Sequence, residues 1–85
     1  MQKRNRARVV RVAPRIIADP KIRFGRPVIV GTRVPVDVLV GGVEAGMEID
    51  AVAEEYGVTR RDVFAALKYA AKLVSSEEIR ASGTS

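Results

Sequence analysis

Eighty-five residues with a net charge of +5 allow one small domain, too short to bury more than about 60–65% of the surface its unfolded chain exposes. Cysteine and histidine are both absent, which excludes disulfides, thiolate metal sites, a cysteine nucleophile and the commonest general base. The charge is lopsided: residues 1–33 carry ten basic side chains and one acidic, whereas residues 34–85 carry five and nine. Such a field favours a polyanionic partner, because each neutralised phosphate releases counterions; a merely solvated basic tail is the bland alternative.

Residues 1–14 form a basic extension in which at most one strand is expected, Val9–Val12. Arg11 and Arg15 interrupt what would have to be the apolar centre of a signal peptide, so the expected compartment is the cytoplasm. The longest uncharged runs, Pro27–Thr32 and Val38–Val43, are far shorter than the ~20 residues a membrane span needs. No membrane association is expected.

Short β-branched runs continue at Ile16–Ala18, Pro27–Val30 and Arg33–Val36, with turns at Asp19-Pro20, Phe24-Gly25 and Gly31-Thr32. So few strands cannot cover themselves, and helices or a second copy of the chain must do it. After Pro35 the pattern turns helical. Asp37 is the expected N-cap of a first helix, Val38–Ala45, which Gly46 stops. A second helix, Ile49–Tyr56, ends at Gly57. Thr59 caps the third, Arg60 to about Ser75, with Asp62 completing an approximate capping box. Residues 76–85 lose the apolar period and read as a frayed tail, leaving a domain over residues 15–75. The fold class expected is α+β, mainly α.

The stretch from Val52 to Val63 has the pattern of a helix-turn-helix. Ala53 is small where the helices would touch, Gly57 accepts a positive φ in the turn, and Val58 plugs the angle. Val52, Tyr56, Val63 and Ala66 are expected to face inward. Wound at about 100° per residue, the third helix places Val63, Leu67, Ala70 and Val74 in one apolar sector, with Phe64 and Ala71 at its edge. Arg61, Ala65, Lys68 and Lys72 line the opposite side. Arg60 and Arg61 also stand at the helix N-terminus, where the macrodipole disfavours cations by ~0.3–1 kcal/mol each.

Two uses of this helix stay open. In the first it binds DNA: Lys68 and Lys72 meet the backbone, and Thr59, Arg60 and Arg61 meet bases or phosphates. Arg4, Arg6 and Arg8 would then add contacts as a flexible arm. In the second it is a docking module for a protein, without DNA affinity. The acidic residues Glu48, Asp50, Glu54 and Glu55 of the second helix weigh mildly toward that alternative. An enzyme is not expected. The carboxylates cluster as hydrophilic helix faces commonly do, and no residue is an activated nucleophile. Gly31-Thr32 lacks the spacing and the lysine of a phosphate loop, and neither cofactor nor metal is expected. Arg33 is placed either to contact phosphate or, slightly favoured, to pair with Asp37.

The segment Gly25-Arg26-Pro27-Val28-Ile29-Val30-Gly31-Thr32-Arg33-Val34-Pro35-Val36, with Ala45-Gly46-Met47 and Val63 through Ala70 downstream, resembles a small prokaryotic family of domains of unknown function. Its members are often described as VapB-type antitoxins encoded beside a PIN-like nuclease toxin. The resemblance covers about residues 15–75. It implies a homeodomain-like three-helix fold with an N-terminal β-hairpin arm, commonly a homodimer, that neutralises the toxin and represses its own operon. Phe24 and Glu48 depart from the family pattern, where a small residue and a Ser-like cap are usual. The basic extension lies outside the resemblance.

Overall fold

The structure, a computed structural model, describes residues 8–83. It is α+β and mainly α: a three-stranded antiparallel sheet followed by three helices. Strands β1 (Val10–Ala13), β2 (Ile16–Ala18) and β3 (Pro27–Ile29) lie in chain order across the sheet. β1 falls inside the basic extension and pairs with β2 through a two-residue turn, Pro14-Arg15. Proline followed by a residue at positive φ (Arg15, φ 68°) is the signature of a type II turn, here with arginine where glycine is usual.

Ile16 of β2 sits opposite Ile29 of β3, so both side chains leave the same sheet face. They meet Val36, Leu39, Val52, Ala53, Val63 and Ala66 from the helices in one core. Full burial of side chains such as Ile16, Leu39 and Val63 stabilises by about 1.5–3 kcal/mol each. Strands β2 and β3 are thus one wall of the core, and β1 lies at the sheet edge with Val10 and Val12 exposed.

The expected strand Arg33–Val36 is absent. An isolated bridge joins Val28 to Pro35, and Val36 already opens the first helix. Pro35 explains both facts: it has no N–H for a ladder, and its φ of −71° suits the residue that enters a helix. Helix α1 is therefore Val36–Glu44, starting two residues before the expected Val38. Asp37 is not its N-cap but lies in its first turn, where the macrodipole favours a carboxylate, and pairs with Arg26. Arg33 is accordingly not the partner of Asp37; its carbonyl accepts a hydrogen bond from Arg23 Nε at 3.3 Å.

Helix α2 spans Ile49–Tyr56 as its pattern predicts, and Gly57 closes it at φ 68°. Tyr56, expected to face inward, is exposed; the core against α2 is filled by Val52 and Ala53. Helix α3 begins at Arg60 and continues to Gly83, well past Ser75. Val63 and Ala66 are buried and Leu67 and Ala70 half-buried, but Leu73 and Val74 are 51% and 59% exposed. The helix outruns the body that its apolar sector packs on. Among the described residues no helix is long and apolar enough to cross a membrane.

Candidate functional site

The start of α3 is fixed by a reciprocal cap. The Asp62 backbone N–H donates to Thr59 Oγ1 at 3.0 Å, and the Thr59 N–H donates to Asp62 Oδ2 at 3.0 Å. Two of the helix's orphan donors are satisfied at once. Asp62 is also buried, and its other oxygen accepts from Arg15 Nε at 2.7 Å. Burial alone would raise the Asp62 pKa. The Thr59 backbone N–H, the Arg15 guanidinium and the Thr59 hydroxyl outweigh burial and hold the carboxyl below its usual value. A charged link thus runs from the β1–β2 turn to the first turn of α3.

The buried residues of α3 decide which way it faces. With Val63 and Ala66 in the core, Arg61, Lys68 and Lys72 are all exposed on the outward side, and Ala65 lies between them half-buried. No carboxylate pairs with any of the three among the described residues. The strand turn runs alongside, so these cations border a groove of about 620 Å³ whose apolar lining includes Val12, Pro14, Phe64, Tyr69 and Leu73.

The other residues singled out from the sequence divide. Arg60 is exposed but engaged: its Nη1 is 2.7 Å from Asp50 Oδ1 on α2, and its guanidinium stands 5.5 Å from the Phe64 ring centre. Those contacts offset the macrodipole cost at that position, whereas Arg61 has no such compensation. Thr59 is exposed at its surface, yet its hydroxyl oxygen is occupied by the cap. Arg8 is exposed just ahead of β1; Arg4 and Arg6 lie outside the described residues.

Sequence reasoning missed Arg15 and the groove. Arg15 and Asp62 are 47 positions apart, and nothing local signals their pairing. The groove lies between α3 and the strand turn, two segments that this pair links. No group of three or more acidic side chains that could hold a metal occurs among the described residues.

Between α2 and α3 stand only Gly57, Val58 and Thr59, a connection of the length used to join two helices at a steep angle. Taken together, the fold and the site define a small α+β domain that presents one outward cationic helix face. A family model described as "Protein of unknown function (DUF433)" matches residues 16–70, more than half of the chain, and the chain belongs to that family. The chain is also similar to the crystal structure of Rv2018 from Mycobacterium tuberculosis, with 38% identity and a TM-score of 0.58. That match covers 61% of this chain and 24% of the other, so this chain spans about a quarter of that relative's length. No curated protein matches.

Proposed function

We propose that this protein binds DNA through α3, in a homeodomain-like helix-turn-helix formed by α2 and α3, and acts as an antitoxin-like repressor of its own operon. The observation that carries the DNA reading is the outward row Arg61–Lys68–Lys72, exposed and without carboxylate partners among the described residues. Arg61 stands at a helix N-terminus, where stability disfavours it, which points to a use outside the fold. The strong positive charge of residues 1–33 adds a sequence-independent attraction to phosphates. The antitoxin role, with a PIN-like nuclease as partner and a homodimer as the binding unit, extends this by family resemblance.

A mobility-shift titration against the DNA upstream of its own reading frame tests the reading. Binding is expected to weaken steeply with salt. Arg61→Ala combined with Lys68→Ala should abolish the specific complex, and the residual non-specific binding should have a log–log salt slope lower by about 1.8, the value for two lost phosphate contacts. Circular dichroism should be unchanged and the melting temperature no lower, because both side chains are exposed and Arg61 is disfavoured at the helix N-terminus. Parent affinity in the double variant would remove α3 from the site.

One observation favours a second reading, a protein-docking module. The groove beside the cationic row has a largely apolar lining, and Leu73 and Val74 are exposed close by. A tight complex with the product of the adjacent gene, with no DNA affinity in the free or the bound state, would decide for it.

A further inference from the structure

The turn between β2 and β3 carries a side chain that the fold does not use. Phe24 is 100% exposed, the most exposed large apolar residue among those described. It sits in the short 3-10 turn Arg23–Gly25, in which three successive residues adopt positive φ: 52° at Arg23, 57° at Phe24 and 85° at Gly25. Left-handed backbone is strained for arginine and phenylalanine, and glycine would hold it with less strain. Folding stability selects neither the ring nor its conformation.

The turn is nevertheless held firmly. The Ile22 N–H donates to the Asp19 carbonyl at 2.8 Å, and the Lys21 N–H donates to Asp19 Oδ1 at 2.9 Å. The Gly25 and Arg26 N–H groups donate to the carbonyls of Ile22 and Arg23, each at 3.1 Å. Arg23 Nε reaches across to the Arg33 carbonyl. The backbone that presents the ring is preorganised, so only the side chain's own rotation is lost when something closes on it. Its surroundings are largely cationic: Lys21, Arg23 and Arg33 are all exposed, Asp19 is half-buried and accepts from the turn's own backbone, and the carboxylate of Asp37 is paired with Arg26 just beyond the turn.

We infer that Phe24 is an aromatic wedge that stacks on or between bases of duplex DNA while Lys21, Arg23 and Arg33 contact the flanking phosphates. An apolar tip ringed by side chains that only donate hydrogen bonds matches what a kinked base step offers: exposed π-faces edged by phosphate oxygens. Arg26, just beyond the turn, borders a depression shared with Tyr69 and Leu73, and those two residues also line the groove that carries Lys68 and Lys72. The inference rests on the DNA reading above and names a contact on a second element.

The chain contains no tryptophan, so Phe24→Trp places a single reporter at the tip. On titration with the upstream duplex its emission is expected to be quenched, saturating with the mobility-shift curve. Phe24→Ala should fold normally and bind about ten-fold more weakly, the range for losing one stacked base, whereas Phe24→Trp keeps parent affinity. Binding with unquenched emission, together with parent affinity in Phe24→Ala, would overturn the wedge and leave the α3 reading standing. Emission that responds to anionic vesicles but not to DNA would overturn it in favour of a membrane contact. Absence of DNA binding by the parent chain would remove both readings.

Discussion

Helices α2 and α3 are neighbours in sequence and share one core, yet they are held by different physics. α3 is anchored by charge and hydrogen bonds: Asp62 is buried, capped reciprocally by Thr59 and tied to Arg15 of the strand turn. α2 has no side-chain cap at Glu48 and depends on close apolar contact, with Val52 fully buried beside Gly42 of α1. The buried stripes turn both helices inward, Val52 and Ala53 on α2 and Val63 and Ala66 on α3, and an exposed Asp50–Arg60 pair joins the two. The helix whose outward face bears the unpaired cations is the one that has a part-buried charged link to the strand turn in addition.

The comparison can be broken most strongly at Asp62. Asp62→Ala removes the cap bond from the Thr59 N–H and leaves Arg15 without its partner, while the backbone N–H at position 62 keeps its bond to Thr59 Oγ1; it is expected to cost about 2 kcal/mol in urea denaturation. The Arg15 side chain is 37% exposed, so water recovers part of its charge and the loss stays below that of a fully buried pair. The same residue sets a pH dependence. Because its folded-state pKa is lowered, Asp62 contributes stability above the pKa of an unfolded aspartate, and that contribution disappears as pH falls through the folded value. Acid titration of the melting temperature should therefore show a drop that is smaller in Asp62→Ala.

A smaller effect is expected from the two adjacent glycines of α1. A Cβ on Gly42 would lie 3.1 Å from Val52 Cγ2 and 3.6 Å from the Met47 sulfur, and β-branched Val52, enclosed by the core, cannot swing aside. Gly42→Ala should destabilise by about 1 kcal/mol despite alanine's better helix propensity. At Gly41 a Cβ would meet nothing within 4 Å, and Gly41→Ala should stabilise by about 0.5–1 kcal/mol. Equal effects of the two substitutions would mean that α1 and α2 are not in close contact there. The smallest change sharpens the contrast: Glu48→Ser supplies the cap that α2 lacks and should add about 0.5–1 kcal/mol.

The helices were legible because their signals are local. Gly57 ends α2, and Thr59 with Asp62 opens α3, by hydrogen bonds between residues three or four apart, which spacing reveals. The cationic row was equally legible, since helical period alone places Arg61, Lys68 and Lys72 on one side. Where local cues competed, the expectation failed. Asp37 has the chemistry of a cap, but Pro35 already enters the helix, and Arg26 takes the carboxylate. Tyr56 has the right period for the core and still lies exposed, because Val52 and Ala53 occupy that space.

Chain order and residue type alone determined a small mainly helical α+β domain, two of its three helix starts, and an arginine-and-lysine stripe on the last helix. Each of those depends on neighbours within a turn or two. Tertiary structure decided the rest: that Arg15 reaches Asp62 across 47 positions, that β2 and β3 wall the core, and that a groove opens beside the stripe. Contacts between distant segments leave no periodic trace in a single sequence, since either partner is an ordinary residue in its own surroundings.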